Sequence, residues 1–374
     1  MSAEAASATA ETGSAPAQVE RLPVSVLTGF LGSGKTTLLR ELLQDPDFSE
    51  TAVVINEFGE IGLDHLLVES AREDMVLLSS GCLCCTISGD LVATLRRLHQ
   101  RRAAKELPLF RRVVVETTGL ADPAPILHTL MQDPMLAEVY RLDGVIATVD
   151  AVNGMDQLDR QMESVKQAAV ADRLVLTKCD LAPETKVLEE RLRSLNPGAP
   201  ILKAVAGHLD PHALFDAGLY NPATKSLDVR RWLKEEAYTT AADDHHDHSG
   251  QDGHQGHAGH HGDLDRNRHD EHIRAFCLTR SSPVDWDLFA DWVEMMISLH
   301  GANLLRIKGV LNVAGADGPI AIHGVQHLFH PPVELKAWPD ADRRSRLVFI
   351  TRDIDGDTMT RSLEAFLGED PKPV

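Results

Sequence analysis

The chain has 374 residues, which is long enough for two domains that each bury a core. Apolar residues make up 43% and charged residues 25%, and no apolar run approaches the roughly 20 residues that a membrane-spanning helix needs. The net charge of -19 disfavours nucleic acid and anionic membranes as partners, and it favours proteins, small molecules or metal cations.

Residues 1–20 predict a disordered tail, because they are rich in Ala and Ser and lack the apolar core of a secretory signal and the arginines of a transit peptide. Five cysteines without an export signal favour the reducing cytoplasm, where clustered thiols stay free to bind metal. We therefore expect a cytoplasmic protein without a membrane anchor.

Between residues 22 and 205, short apolar runs alternate with segments of helical period, which predicts an α/β domain with a mainly parallel sheet. We expect this domain to span residues 21–235. The predicted strands are LPVSVLTG (22–29), TAVVINEFG (51–59), MVLLSSG (75–81), RRVVVETTG (111–119), DGVIATVD (143–150) and RLVLTKCD (173–180), and the predicted helices are TTLLRELLQ (36–44), DLVATLRRLHQRRA (90–103) and PETKVLEERLRSL (183–195).

The segment GFLGSGKT, residues 29–36, fits the phosphate-loop pattern G-x-x-x-x-G-K-[ST] and lies between a predicted strand and a predicted helix. Its glycines let the backbone N–H groups face phosphate oxygens, and the following helix adds its positive end. Lys35 is predicted to reach the β and γ phosphates, and the Thr36 hydroxyl to bind Mg²⁺. The nucleotide-binding residues predicted here are Gly29, Gly32, Ser33, Gly34, Lys35, Thr36 and Thr37.

The segment INEFGEIGLDH, residues 55–65, follows the second of these predicted strands, where a nucleotide-dependent switch is expected. Asn56, Glu57 and Asp64 are its polar candidates for contact with phosphate or metal, and Glu57 is a candidate metal ligand. An ordinary polar loop is the alternative for each of them.

The segment GCLCCTI, residues 81–87, contains three of the five cysteines. Gly81 permits a tight turn, so thiolates from Cys82, Cys84 and Cys85 can converge on one cation, whereas a regular strand directs neighbouring side chains to opposite faces. Soft thiolates favour Zn²⁺, Cu⁺ or Co²⁺, and three of them leave a tetrahedral ion one ligand short. A structural zinc completed by a distant His, a redox sensor and buried inactive cysteines are the alternatives.

Two further strand ends carry polar residues. VVVETTG, residues 113–119, places Glu116 near the expected Mg²⁺ and lets the Gly119 amide sense the γ-phosphate. We assign catalytic roles to Lys35, Thr36 and Glu116, while an exposed acid at a strand end is the alternative for Glu116.

LVLTKCD ends another predicted strand with Thr177, Lys178 and Asp180. A carboxylate there can accept two N–H bonds from guanine, while the Lys stem covers the base, so GTP and GDP are the predicted nucleotides. Thr177 stands where this motif usually has Asn, and its shorter hydroxyl is expected to contact the base less well.

The composition changes after residue 235. Residues 241–272 contain nine His among Asp, Gly and Gln, and we expect residues 236–271 to form a disordered linker. Such a tract can bind Zn²⁺, Ni²⁺ or Co²⁺ weakly, and a plain solvated linker is the alternative. Its candidate weak ligands are His245, His246, His248, His254, His257, His260 and His261.

Residues 272–374 predict a smaller α+β domain with a mostly antiparallel sheet. The predicted strands are HIRAFCLTR (272–280), NLLRIKGVLNV (303–313), PIAIHGVQHLFH (319–330) and SRLVFITRDID (345–355), and the predicted helices are VDWDLFADWVEMMISLHG (284–301) and TMTRSLEAFLG (358–368). On a strand over 319–330, alternation places His323 and His327 on one face, where a shared metal competes with a core or surface role. Cys179 and Cys277 are predicted to be packing residues.

Five motifs in this order, GFLGSGKTT, INEFGE, GCLCCTI, ETTG and TKCD, resemble the CobW family of P-loop GTPases. The segment HPPVELKAWPDADRRSRLVFITRDID, residues 330–355, is similar to the C-terminal domain of that family. The resemblance implies a GTP-dependent metallochaperone whose cysteine motif holds zinc, or in some branches cobalt, for delivery to a client protein. Many members carry a His-rich tract of this kind.

Motifs and resemblance together predict a Mg²⁺-dependent GTPase that transfers zinc from Cys82, Cys84 and Cys85 to a client metalloprotein. A homodimer is a further expectation. The alternatives are a cobalt chaperone for cobalamin synthesis or a hydratase activator, a metal buffer or sensor with a structural nucleotide, and a small-molecule kinase.

Overall fold

The computed structural model describes residues 21–48, 50–56, 68–72, 75–78, 83–86, 91–215 and 272–370. Its amino-terminal part is built around one sheet. The described strands of this sheet are β1 (Leu22–Gly29), β2 (Thr51–Asn56), β3 (Val68–Arg72), β4 (Met75–Leu78), β5 (Leu83–Thr86), β6 (Arg112–Thr117), β7 (Tyr140–Asp150), β8 (Arg173–Thr177) and β9 (Ile201–Lys203).

The strands lie in the order β3-β4-β5-β2-β6-β1-β7-β8-β9. Every neighbouring pair from β5 to β9 is parallel, and β3 and β4 extend one edge in antiparallel pairing. The central strands are almost fully buried, which explains why they are continuous apolar runs rather than alternating ones. The predicted mainly parallel α/β domain is confirmed.

Helices cover both faces of this sheet, and the three predicted ones are present. They are α1 (Lys35–Leu42), α2 (Leu91–Ala103), α3 (Ala124–Gln132), α4 (Pro134–Val139), α5 (Gly154–Arg160), α6 (Met162–Val170), α7 (Lys186–Leu195) and α8 (Pro211–Leu214), with a 3₁₀ turn over Pro46–Phe48. Helices α3 to α6 were not predicted from the sequence, because each has only 6 to 9 residues and a helical period cannot be distinguished over so short a segment. None of the helices in the described ranges is long and apolar enough to cross a membrane.

The carboxyl-terminal part is a second sheet with two helices on it. Its strands β10 (Ile273–Arg280), β11 (Leu304–Leu311), β12 (Ile320–Val325), β13 (Leu328–Phe329), β14 (Val333–Glu334) and β15 (Ser345–Arg352) pair antiparallel in the order β10-β15-β11-β12-β13, with β14 also on β12, and its helices are α9 (Trp286–His300) and α10 (Gly356–Leu367). Trp292 is 1% exposed at the centre of the core between helices and sheet. The predicted antiparallel α+β domain is confirmed.

The two sheets share a buried contact surface. Leu305, Val325 and Leu328 of the second sheet belong to the same apolar cluster as Val170 of α6 and Leu174 of β8. Because this cluster is continuous, the second domain packs against the part of the first domain that contains α6 and β8.

Two sequence-based expectations about strands are wrong. The segment 319–330 is a hairpin of β12 and β13 rather than one strand, because Gln326 adopts a left-handed backbone conformation with φ of 54° and reverses the chain. The backbone of Cys84 and Cys85 belongs to β5, whereas the convergence of their thiolates predicts a departure from regular strand geometry; the turn predicted at Gly81 lies outside the described residues. Main-chain pairing with β2 on one side and β4 on the other favours the extended conformation there.

Candidate functional site

The segment between β1 and α1 is shaped by three glycines with positive φ. Gly29, Gly32 and Gly34 have φ of 141°, 72° and 88°. Gly34 precedes α1 directly, and no side chain in the described part of the chain caps that helix end. The first N–H groups of α1 and the curled loop therefore offer the donors that a phosphate group needs.

Lys35 and Ser33 fix the shape of this loop. The Lys35 ammonium donates to the carbonyl oxygens of Gly29 at 2.9 Å and Phe30 at 3.3 Å, and the residue is 8% exposed. The Ser33 hydroxyl lies 2.6 Å from the Thr148 hydroxyl on β7. A positive charge is thus held inside the loop, and the loop is tied to the central sheet.

Thr36 and Glu116 meet across the loop. The Thr36 hydroxyl donates to the Glu116 carboxylate at 2.9 Å, and Glu116 is 4% exposed at the carboxyl end of β6. A hydroxyl oxygen and a carboxylate oxygen are the donors that Mg²⁺ takes beside nucleotide phosphates, so this pair fits that ion. The two residues are 80 positions apart in the sequence, and the fold brings them into contact.

The loop after β6 packs closely on the P-loop. A Cβ atom added to Gly119 would lie 2.6 Å from the backbone nitrogen of Leu31. The buried side-chain amide of Gln167 on α6 donates to the carbonyl oxygens of Gly119 and Ala121 at 3.2 and 3.0 Å. A shift of this loop therefore requires movement of the P-loop backbone or of α6.

Thr177 joins the predicted base-reading segment to the P-loop. Its hydroxyl donates to the Ser33 carbonyl at 2.6 Å. We expected a base contact from this position, and the structure instead directs the hydroxyl to the loop backbone. The residue that replaces the usual Asn thus links the base end of the site to its phosphate end.

Lys178 and Asp180 follow β8 at the same sheet edge. The Lys178 ammonium donates to Asp150 at 2.7 Å, and Asp180 accepts the backbone N–H of Ala206 at 3.0 Å. Burial opposes ionisation of Asp150, but hydrogen bonds from Lys178, Asn153 and backbone N–H groups outweigh it, so the pKa of Asp150 is lowered. Asp150 and Ala206 are not predicted from the sequence, although Asp150 ends β7 and Ala206, with φ of 50°, follows β9 by three residues.

Several predicted metal ligands lie outside the described residues. These are Glu57, Asp64, Cys82 and the seven His of the 245–261 tract, and only the backbone of Asn56, Cys84 and Cys85 is described. Within the described ranges, no group of three or more His, Cys, Asp or Glu side chains could hold a metal ion. Cys179 and Cys277 pack against the core, and burial raises the pKa of the Cys179 thiol.

The histidines of the β12–β13 hairpin pair differently from the expectation. The rings of His323 and His330 stack at 5.0 Å across the hairpin, and His327 lies 5.5 Å from His128 of α3. The reversal at Gln326 is the reason, because alternation along one strand does not continue through a turn. His323 and His327 therefore do not share a face.

A buried charge cluster lies beside these rings. Asp172, which precedes β8, binds the guanidinium of Arg306 and accepts from Lys308 at 2.9 Å, and both cations come from β11 of the second domain. Arg306 also donates to the Val170 carbonyl. Burial opposes ionisation of Asp172, but the charges of Arg306 and Lys308 outweigh it, so the pKa of Asp172 is lowered.

Comparison with known proteins gives two family matches. The family described as CobW/HypB/UreG, nucleotide-binding domain, matches residues 23–203, and the cobalamin synthesis protein cobW C-terminal domain matches residues 273–367. The matched ranges correspond to the two sheets and leave the His-rich segment between them.

One relative and one solved structure match along most of the chain, and a second relative matches along about half of it. Zinc chaperone YjiA of Escherichia coli (strain K12) is 32% identical over 329 residues, which cover 88% of this chain and 93% of that protein. Zinc-regulated GTPase metalloprotein activator 1 of Schizosaccharomyces pombe is 33% identical over 202 residues, 51% of this chain and 48% of that protein. The crystal structure of Zn(II)-bound YjiA GTPase from E. coli superposes with a TM-score of 0.70 at 29% identity, covering 93% of this chain and 99% of that one.

Proposed function

The chain belongs to the CobW family of P-loop GTPases, and on that premise we propose that it hydrolyses GTP in order to hold zinc and transfer it to a client metalloprotein. GTP binding and hydrolysis are supported by the 2.9 Å contact between Thr36 and Glu116, which lies beside the amino-terminal end of α1, where no side chain of the described residues caps the helix. The names of the relatives, a zinc chaperone and a metalloprotein activator, support the metal half of the proposal.

The phosphates bind where the N–H groups of the loop and of α1 converge. Lys35 places its ammonium beside the β and γ phosphates, and Thr36 with Glu116 would hold Mg²⁺. When bound, Mg²⁺ would neutralise charge on these phosphates during hydrolysis. The Gly119 N–H, which lies on the loop against Leu31, senses whether the γ-phosphate is present.

The base binds at the other end of the same sheet edge. Asp180 accepts the guanine N–H groups, and the Lys178 stem, held by Asp150, covers the base. The Ala206 N–H, already bound to Asp180, lies beside this position and orients the carboxylate. This arrangement selects GTP over ATP, because adenine offers no matching pair of donors.

Zinc is the cargo. Thiolates of Cys82, Cys84 and Cys85 bind it and leave one tetrahedral position for a ligand from the client. Because Cys84 and Cys85 are neighbours on β5, their binding to one ion requires the segment to depart from regular strand alternation when zinc is held. The segment that carries them lies in the chain between β2 and β6, whose ends reach the phosphate site, so that nucleotide state alters zinc affinity. Glu57 is a further ligand candidate, and the His tract within 236–271 supplies weak exchanging sites that raise the local zinc concentration.

Zinc affinity in two nucleotide states tests the coupling. Full-length protein is titrated in competition with a chromophoric chelator, once with GDP and once with a non-hydrolysable GTP analogue, both with Mg²⁺. We expect affinities that differ by about 5- to 150-fold, the usual range for coupled sites. Equal affinities in the two states would contradict a GTP-gated chaperone and favour a metal buffer.

Cysteine substitutions test the location of the cargo. Loss of a residue that only hydrogen-bonds a metal ligand typically lowers metal affinity by about 10- to 100-fold. Cys84→Ser removes a proposed ligand itself, so we expect it to lower zinc affinity by at least as much, while GTP hydrolysis persists. Cys277→Ser is the matched control, because Cys277 packs against the core of the described structure. Similar zinc affinities in both variants would place the cargo elsewhere, for example on the His tract.

A further inference from the structure

We infer that Gln326 of the second domain is a positioning residue for GTP hydrolysis, because it binds the loop that follows Glu116 in the GTPase domain. This inference rests on the proposed GTPase activity. The side-chain amide of Gln326 donates to the Asp122 carboxylate at 3.0 Å. The two residues are 204 positions apart in the chain, and each lies in a different domain.

Asp122 is the point at which the loop after β6 is fixed. One carboxylate oxygen accepts the backbone N–H of Ala124 at 3.0 Å, which sets the start of α3. The other accepts from Gln326 and from the Lys166 ammonium at 3.3 Å. Lys166 belongs to α6, so this carboxylate joins α3, α6 and the second domain.

The same loop is held at its other end by the neighbour of Lys166. Gln167 is 1% exposed and donates to the carbonyl oxygens of Gly119 and Ala121. Gly119 in turn packs against the P-loop at Leu31, without room for a Cβ atom. Asp122 is thus three residues from Gly119, on a loop that contacts α6, the second domain and the P-loop.

Gln326 is itself placed rigidly. It lies at the tip of the β12–β13 hairpin, and the flanking Val325 and Leu328 are 1% and 2% exposed in the apolar cluster shared with the GTPase domain. At the base of the hairpin, the ring of His323 lies 3.3 Å from the guanidinium of Arg306, which binds Asp172. Buried apolar residues and the contact of His323 with Arg306 thus hold the hairpin against the GTPase domain, and Gln326 at its tip contacts Asp122.

The backbone of Gln326 supports this role. A φ of 54° is unfavourable for a residue with a Cβ atom, and Gly or Asn adopts it more readily. Strained positions of this kind are concentrated where a side chain has a function. Here the long amide side chain reaches Asp122, which Gly could not do.

The proposed consequence is that hydrolysis depends on how the second domain is seated. A ligand or client that moves the β12–β13 hairpin would release Asp122 and change the loop that contains Gly119. Coupling between such sites is typically enough to change a rate or affinity severalfold.

Hydrolysis kinetics of full-length variants test this inference. Gln326→Glu places two carboxylates against each other, and we expect kcat for GTP hydrolysis to change by about 2- to 30-fold with a smaller change in KM. The double variant Gln326→Glu with Asp122→Asn exchanges donor and acceptor, and the carboxylate at position 326 takes over from Asp122 as the acceptor for the Lys166 ammonium. This variant is expected to restore kcat toward that of the wild type. Gln326→Gly removes the amide and relieves the strained backbone, so it is expected to alter kcat without loss of thermal stability.

His327→Ala is the matched control. His327 lies next to Gln326 in the same turn and contacts His128 of α3 rather than Asp122. The kcat of the His327→Ala variant is therefore expected to stay within about twofold of the wild type. Active wild type with unchanged kcat in Gln326→Glu and Gln326→Gly would overturn the inference and leave the proposed function intact. If the wild type neither binds a fluorescent GTP analogue nor hydrolyses GTP, the proposed function fails and the inference fails with it.

Discussion

Two buried carboxylates lie at opposite ends of the strands of the parallel sheet, and their partners differ. We call the side of the sheet where the parallel strands end the carboxyl edge, or phosphate edge, and the side where they begin the amino edge. Glu116 is at the carboxyl end of β6 and accepts the hydroxyl of Thr36, from the helix that follows the P-loop. Asp172 is at the amino end of β8 and binds two cations, Arg306 and Lys308, from the other domain. The first contact is made within one domain and the second joins two domains.

The difference indicates what each edge of the sheet does. A carboxylate beside a hydroxyl at the carboxyl ends of the strands is the pair of oxygen donors that a divalent cation takes beside phosphates. A carboxylate between an arginine and a lysine is already compensated, and it holds the second domain in place. We therefore expect substitution of Glu116 to act directly on chemistry. Substitution of Asp172 is expected to act on stability, and on hydrolysis only through the position of the second domain.

The largest effect is expected for Asp172→Asn. Removal of one member of a buried charge cluster leaves Arg306 and Lys308 buried without their carboxylate, which typically costs about 3–5 kcal/mol. The free energy of unfolding, measured by urea denaturation, should fall by that amount. The control is Asp156→Asn, which removes an exposed pair with Arg160 at 2.8 Å and should cost less than about 1 kcal/mol.

If Asp172→Asn and Asp156→Asn lowered the free energy of unfolding equally, this would contradict the role of Asp172 in holding the second domain in place. A double variant, Asp172→Asn with Lys308→Met, sharpens the test because it removes a buried charge together with its partner. It is expected to be more stable than Asp172→Asn alone.

The next effect is expected at the other edge, for Glu116→Gln. The amide keeps the shape of the side chain and can still accept from Thr36, but the charge that would hold Mg²⁺ is lost. GTP hydrolysis should fall by about 10- to 100-fold, which is typical for loss of a partner in a metal site, with little change in unfolding.

Glu189→Gln is a close control for Glu116→Gln. Glu189 on α7 also accepts a threonine hydroxyl, that of Thr185 at 2.7 Å, and bonds from Lys203 and Thr185 lower the pKa of Glu189 to about 2. It is not part of the proposed phosphate site, so its substitution should leave hydrolysis within about twofold of the wild type. A loss as large as that of Glu116→Gln would show that the effect is not specific to the phosphate edge.

The carboxyl edge could be predicted from the sequence, and the amino edge could not. Lys35, Thr36 and Glu116 follow buried apolar runs in a motif order that implies a parallel sheet, and the carboxyl ends of its strands must meet. The family and the fold class predicted in this way are confirmed by the matches over both domains. Asp172 and Arg306 are 134 positions apart, and no local pattern indicates that they meet.

The hairpin of the second domain was missed for a similar reason. The run PIAIHGVQHLFH has no Pro or Asn-Gly turn signal at its centre, and its two-residue loop places Gln326, which is not a typical turn residue, at the position that requires a positive φ. A strand was therefore the natural prediction, and with it the wrong pairing of His323 with His327. The stacked pair His323 and His330 follows only from the observed turn.

A third prediction concerns packing at the phosphate edge. In Gly119→Ala, the new Cβ would lie 2.6 Å from the Leu31 backbone nitrogen, and backbone cannot move aside as a flexible side chain can. The free energy of unfolding should fall by about 1–3 kcal/mol. Gly356→Ala is the control, because its Cβ would meet Phe276 at an ordinary 3.4 Å, and a change within about 1 kcal/mol is expected. Equal stability of the two variants would contradict close contact between the two phosphate-binding loops.

The smallest effect is expected from pH, and it acts on the amino edge alone. Burial lowers the pKa of His330 to about 3, with the charge of Asp172 opposing and that of Arg306 adding to the shift. Between this value and its ordinary pKa of about 6.5, the unfolded chain binds a proton that the folded chain excludes, so stability is complete above about pH 6.5 and falls as the pH falls. From about pH 7.5 to 5.5 the loss from this residue is about 1.4 kcal/mol.

His330→Phe isolates this contribution, because it keeps a ring beside His323 and does not titrate. The difference in unfolding free energy between wild type and His330→Phe should shift by about 1.4 kcal/mol in favour of the variant when the pH falls from about 7.5 to 5.5. The comparison uses the unfolding free energy rather than GTP hydrolysis, because His330 belongs to the hairpin whose tip, Gln326, contacts Asp122. A pH-independent difference would show that His330 takes up a proton in the folded state, and the amino edge would then accommodate more positive charge than its two cations supply.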